Sequence, residues 1–305
     1  MSPMERKTGI DVAGALMLVG FSLLLGFNNV VIKHTGGGFQ PVFMAGLRSV
    51  GALVVLLLWM RLRGTPLQLT RASAPGGLLL GLFFTAEFTC LFLALDRTTV
   101  SRASIVFYSM PVWLALFAHV LLPGERLDRR RLAGLALAMG GVVWALADRG
   151  EGGAAALSGD LLALTGAICW AGIALTVRLT RVSEVRPETQ LFWQLAVSAV
   201  GLMALAPLFG PFLREVAPVH LAGLGFQIVA VASAGFLFWF WLITIYPASG
   251  VASFSFLSPV FSVGLGWALL GEEVNAGVLG ALVLVAAGLV LINRPRRVSR
   301  ADAGA

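Results

Sequence analysis

Apolar residues along this chain fall into long runs separated by short polar breaks. The runs lie at about 11–32, 41–60, 74–95, 99–122, 131–147, 158–177, 187–209, 219–245, 249–270 and 275–292. A helix needs about 20 apolar residues to cross the hydrocarbon core of a bilayer. A barrel strand needs about half as many and alternates in polarity. The run lengths therefore predict an all-α membrane protein with ten transmembrane helices. Arg6 and Lys7 precede the first run, as in a secretory signal. That run is too long for a signal core and no small-residue cleavage site follows, so it reads as a retained span.

Two of the runs contain a proline near the middle. Pro111 lies in "IVFYSMPVWLAL" (105–116) and Pro259 in "SFSFLSPVFSVG" (253–264). Proline lacks an amide hydrogen and its ring clashes with the carbonyl four residues back, so each helix is expected to kink there. Pro111 is about 12 residues into span four and Pro259 about 10 into span nine, which at ~1.5 Å per residue puts both roughly 15–18 Å deep. Each kink should free one carbonyl, that of Phe107 or that of Ser255. In lipid such a carbonyl needs a polar neighbour.

The prolines are spaced 148 positions apart, as are Glu125 and Glu273. At an offset of 146, Gly20 meets Gly166, Gly26 meets Gly172 and Pro41 meets Pro187. The Gly- and Ala-rich stretch "ADRGEGGAAALSGD" (147–160) divides the two series. The landmarks predict a duplication, with a first five-helix repeat over 1–149 and a second over 150–305. Five is odd, so the second repeat must be inverted. Inverted repeats are a feature of secondary transporters, whose substrate site lies near mid-membrane at the repeat interface.

Charge adds the orientation. Hydrophobic residues make up 58% of the 305 and charged ones only 12%, against roughly a quarter charged in soluble domains. With the N-terminus inside, sixteen of the 22 lysines and arginines fall on the cytoplasmic side. Five fall opposite (Lys33, Arg97, Arg102, Arg149 and Arg214), and Arg48 lies within span two. The positive-inside rule then places both termini in the cytoplasm. The net charge of +7 is a topology signal, and no nucleic-acid partner is expected.

"SMPVW…PGE" and "LSPVF…GEE" close spans four and nine, and spans five and ten are Gly-rich. With the five-plus-five arrangement, the chain resembles the EamA-type exporters of the drug/metabolite transporter superfamily over nearly its whole length. The resemblance implies an inner-membrane exporter of amino acids, aromatic ones included, or of similar metabolites. It also implies a central cavity lined chiefly by spans three, four, eight and nine. One departure is "YPASG" (246–250), a cytoplasmic loop in this topology that carries no Lys or Arg.

Glu87 is the only carboxylate deep in a run, and intramembrane ionisable groups are costly enough to mark function. Arg48 is its natural partner, since both lie roughly 11 Å below the same membrane face at ~1.5 Å per residue. The two read either as an ion pair pinning spans two and three or as a proton or substrate-ammonium site. The repeat position matching Arg48 is Gln194. Aromatic candidates for cavity walls are Phe84, Phe88, Trp170 and Trp239. Some members of "FLFWFW" must face lipid, because adjacent helical residues point in different directions.

Asn28 and Asn29 sit on adjacent faces, so at most one should face a pathway while the other bonds a neighbouring helix. Asn28, Phe107, Tyr108, Pro111, Ser255 and Pro259 join these aromatic residues in the candidate amino-acid site. The Phe107 and Ser255 carbonyls suit an ammonium group, and the Tyr108 hydroxyl suits a carboxylate.

Other features read as structure. Ala163, Ala167 and Ala171, Gly134 with Ala138, and Gly277 with Ala281 form small-xxx-small ridges for close helix contact. Asp128 and Asn275 read as N-caps of spans five and ten. No metal or cofactor is expected: "TGGGF" (35–39) lacks the Lys and Ser/Thr of a phosphate loop, and the three histidines are far apart. An enzyme working on lipid-linked substrates would need clustered carboxylates or histidines. A nucleotide-sugar carrier would need several cations facing its cavity. The expected partners are a small-molecule substrate and lipid, with the carrier acting as a monomer.

Overall fold

A computed structural model of the chain describes residues 7, 10–122, 125, 127–147, 153–246, 251, 254 and 256–293. Among them, strand pairing is limited to one Phe39–Leu213 bridge. The regular structure is otherwise helical: α1 (Val12–Thr35), α2 (Pro41–Arg63), α3 (Ala74–Arg97), α4 (Val100–Phe107), α5 (Met110–Leu121) and α6 (Arg129–Ala147). Then follow α7 (Gly153–Leu179), α8 (Pro187–Leu205), α9 (Pro218–Phe226), a π-helical segment (Gln227–Gly235), α10 (Phe236–Ile245), α11 (Leu257–Leu270) and α12 (Ala276–Asn293).

Local chemistry sets many of these boundaries. Pro41, Pro187 and Pro218 open α2, α8 and α9, the position where a missing amide costs nothing. Asp11 caps α1 by accepting from the Gly14 amide at 2.8 Å. Asp128 accepts from the Arg131 amide at 2.7 Å, and Asn275 from that of Val278 at 2.8 Å, the N-cap roles expected of both. Gly64 and Gly271 end α2 and α11 at φ +63° and +67°, a left-handed cap that other residues rarely adopt.

The number of spans differs from ten. Eight helices are long and apolar enough to cross a membrane among the described residues, counting α4 with α5 and Pro218–Ile245 each as one. Two further apolar helices, Leu257–Leu270 and Ala276–Ile292, are shorter. Among the described residues the ninth run holds the helix Leu257–Leu270, with Pro259 in its first turn. A proline fits there because first-turn amides have no helical partner anyway.

Span four is more than kinked. Tyr108 and Ser109 form a turn between α4 and α5, with the Ser109 amide on Val106 O at 3.1 Å and the Val112 amide on Ser109 O at 2.8 Å. Pro111 stands at the start of the new helix. A single freed carbonyl thus understates the effect of the proline: the helix stops and restarts. The ring of Pro111 still cannot donate to the Phe107 carbonyl.

Close packing rests on small residues. The Ala163, Ala167 and Ala171 ridge of α7 is wholly buried, and α7 packs against α3. α6 lies along α12, where a Cβ on Gly134 would come 2.8 Å from the Gly288 carbonyl and one on Gly288 2.5 Å from that of Gly134. Backbones approach this closely only where side chains are absent.

The π-helical segment was not foreseen. Its Ser233 hydroxyl donates to Ile228 O, five residues back, at 2.8 Å. Such segments widen a helix locally and frequently mark functional sites.

Candidate functional site: a central cavity at the broken helix

A cavity of about 400 Å³ lies where α1, α3, α7 and the π segment with α10 surround the turn between α4 and α5. Phe84, Glu87, Phe88 and Leu91 enter it from α3, Phe107, Tyr108, Met110 and Pro111 from the turn, and Trp170 from α7. Asn28 and Asn29 reach it from α1, Arg48 from α2, Gln194 from α8, and Val231, Gly235, Phe236 and Trp239 from the widened helix. Ten of the twelve sequence-derived candidates therefore line one space. Pro259 does not: it is buried in the first turn of α11, and Ser258 beside it faces the cavity instead. Ser255 lies outside the described residues.

The walls are mostly aromatic. The Phe107 and Trp170 rings stack at 5.1 Å with an 18° interplanar angle, and Tyr108 meets Trp170 edge-on at 5.8 Å. Across the space, Phe84 lies 4.5 Å from Phe88 and 6.2 Å from Phe236. Trp239 stacks on Phe21 at 5.2 Å. Ser22, Phe21, Asn29, Gln194, Phe236 and Ser258 were not among the sequence candidates for the lining. For Gln194 a signal existed, its position opposite Arg48 in the repeat; the others carry none that separates them from packing residues.

Arg48 and Glu87 are 3% and 5% exposed and share the cavity, but no ion pair joins them. The Arg48 guanidinium lies 4.2 Å from the centre of the Phe88 ring and 5.9 Å from that of Phe92. α3 turns Phe88, not Glu87, onto the cation, and a desolvated cation–π contact is itself favourable. Arg48 Nε, Glu87 Oε2 and Asn28 Oδ1 have no hydrogen-bond partner. Asn29 behaves differently: its Nδ2 donates to Ser104 Oγ at 3.0 Å and Ser262 Oγ at 3.3 Å, tying α1 to α4 and α11.

One end of the bundle is closed by polar contacts. Glu272, in the turn after α11, accepts from the Val100 and Ser101 amides at 2.5 and 2.9 Å and from Ser101 Oγ at 2.7 Å, capping α4. Arg102 donates to Asp160 through Nε at 3.1 Å and Nη2 at 2.5 Å, and Nη2 also reaches Ala145 O at 2.7 Å. Lys33 donates to the carbonyls of Leu95 and Thr98, and Arg214 to Asp96. The cavity lining runs the other way, down to Leu18, Leu114, Ala174 and Val251. At that end Glu125 pairs with Arg178 and, at 3.8 Å, with Arg131.

An apolar bundle around a cavity at a broken helix suits transport, and the comparison with known families decides it. The model of the EamA-like transporter family matches twice, over residues 12–147 and 157–294. The chain belongs to the EamA-like transporter family. It is a multi-pass membrane protein, and several relatives are named as transporters, efflux pumps or exporters. A probable amino-acid metabolite efflux pump of Salmonella typhimurium is 28% identical, covering 97% of this chain and 100% of that protein. The pseudopaline exporter CntI of Pseudomonas aeruginosa is 24% identical over 93% and 97%. An uncharacterized transporter of Bacillus subtilis is 27% identical over 95% and 94%. A solved crystal structure with 22% identity superposes with a TM-score of 0.65, covering 92% of this chain and 96% of that one. At that identity it speaks for the EamA fold alone.

Proposed function

We propose that this EamA-family protein is a secondary carrier that exports amino acids, neutral and aromatic, and related metabolites across the inner membrane by alternating access. The observation that carries this reading is the cavity itself. It combines aromatic walls, suited to a sizeable side chain, with a small set of inward polar groups at the broken helix. Pockets of about 300–1,000 Å³ with that lining are typical small-molecule sites. The relatives named as an amino-acid metabolite efflux pump and a pseudopaline exporter point to substrates of the same chemical kind.

On this reading the eight long helices and the two shorter apolar ones form two inverted repeats, 1–149 and 150–305, with both termini cytoplasmic. Two family matches in one chain support the duplication. The packing supports a two-fold relation: α3 on α7 is matched by α1 on α9 and the π segment, and α4 and α5 on α7 by α11 on α1. Likewise α3 on α8 is matched by the π segment on α2, while α2–α8, α4–α11 and α6–α12 join counterpart to counterpart. By the charge count, the closed end with Glu272 is extracytoplasmic and the cavity lies toward the cytoplasm. It works as a monomer in lipid, without a cofactor.

Counterflow in proteoliposomes across a metabolite panel tests the reading. Uptake of labelled phenylalanine against preloaded neutral amino acids is expected. Indifference to every amino acid in the panel would overturn it. Trp170→Ala removes a ring that packs on both Phe107 and Tyr108. Such contacts contribute about 0.5–1.5 kcal/mol each, so apparent affinity for aromatic substrates should fall about three- to tenfold while alanine counterflow changes less. Equal losses for phenylalanine and alanine would count against an aromatic wall.

A further inference from the structure

We propose that Arg48 and Glu87 hold the two ends of a zwitterionic head group, Arg48 the carboxylate and Glu87 the ammonium. A cargo must then carry both charges, free and on one head. The inference rests on the carrier reading above and deepens it.

An arginine and a glutamate, each nearly without solvent exposure, face one cavity with no salt bridge between them. An unpaired charge at membrane depth is costly and persists where a function needs it. A ligand with complementary poles relieves both costs at once, which a singly charged ligand cannot do. The orphaned atoms match such a head group in kind. Arg48 Nε is a donor, while Glu87 Oε2 and Asn28 Oδ1 are acceptors. An ammonium group has three donors and no acceptor, a carboxylate only acceptors. Arg48 with a carboxylate, and Glu87 with Asn28 around an ammonium, leave none of the three orphaned.

Position completes the argument. Phe88 follows Glu87 on α3 and carries the guanidinium on its ring, so the cation is held against the helix that bears the carboxylate. The stacked Phe107 and Trp170 form an apolar wall of the same cavity, where a side chain can lie once the head is held. Gln194, at the position equivalent to Arg48 in the other half, also lines the cavity but is uncharged. The head-group site is therefore single and one-sided. This assignment replaces the Phe107 and Ser255 carbonyls as the primary ammonium site.

The test uses the full-length protein in proteoliposomes at neutral pH. Labelled phenylalanine counterflow is challenged with phenylalanine, phenylalaninamide (no carboxylate), and 3-phenylpropionate (no ammonium). Each one-ended analogue should compete about tenfold or more weakly than phenylalanine, the loss expected when a charged hydrogen bond is left unmade. Arg48→Gln should then lose its preference for phenylalanine over phenylalaninamide, and Glu87→Gln its preference over 3-phenylpropionate. A merely structural pair would weaken all three competitors alike. If phenylalanine is carried but the analogues compete equally, the head-group assignment fails and the carrier reading stands. If no amino acid is carried, both fail. Where either variant does not fold, the wild-type analogue profile alone decides.

Discussion

Arg102→Gln is expected to lower the stability of the protein by about 3–5 kcal/mol, the usual cost of removing one partner of a buried ion pair. Asp160 is fully buried and Arg102 nearly so. The pair is bidentate on one side, with two guanidinium nitrogens on Asp160 Oδ2, and Thr98 Oγ1 donates to Oδ1 at 3.0 Å. Removing the cation strands a carboxylate that keeps one hydroxyl donor. The double variant Arg102→Gln with Asp160→Asn should recover most of the loss, because replacing both members leaves no net charge behind. Thermal unfolding of the detergent-purified proteins measures this. Arg102→Gln within about 1 kcal/mol of wild type, or a double variant no better than the single, would show that the pair does not hold α4 to α7.

How much of this was legible in the sequence follows from what a helix pattern encodes. Run length located the helices: α2 and α8 begin at Pro41 and Pro187, where their runs begin, and α9 at Pro218, one residue before its run. Depth was legible too: residues counted from a run's end gave the level of Arg48, Glu87 and Pro111, and all three line one cavity. Azimuth was not. Glu87 and Phe88 differ by about 100° around α3, and that rotation decided which of them Arg48 touches. The π segment was hidden because an extra residue per turn leaves no mark in composition. In the "GEE" pair the offset matched Glu273 to Glu125, yet Glu272 makes the contacts and Glu273 is exposed. Gly271 at φ +67° turns the chain there, and a one-residue choice after a left-handed turn is a matter of backbone direction.

The second large effect is expected at Glu272. Its carboxylate satisfies the first amides of α4 and the Ser101 hydroxyl, where negative charge is also favoured by the helix dipole. The site is built around it: the Glu272 amide donates to Gly266 O at 3.2 Å, and a Cβ on Gly266 would come 2.6 Å from Glu272 Oε2. Glu272→Ala therefore detaches the turn after α11 from α4 at the closed end of the bundle. Charged hydrogen bonds contribute about 1.5–3 kcal/mol each, and 1.4 kcal/mol is about a tenfold population change. Opening at that end should rise by about tenfold or more. Ser104 is buried on α4 just inside this end, so a Ser104→Cys variant in a background without Cys90 and Cys169 reports it. A membrane-impermeant maleimide added from the side of the Gly36–Gln40 loop should label it at least about tenfold faster with Glu272→Ala than without. Glu272→Gln keeps an acceptor but not the charge and should fall between, while Glu273→Ala should label like the parent. An unchanged rate with Glu272→Ala would mean that Lys33, Arg214 and the Arg102–Asp160 pair close that end unaided, leaving Glu272 only the cap of one helix.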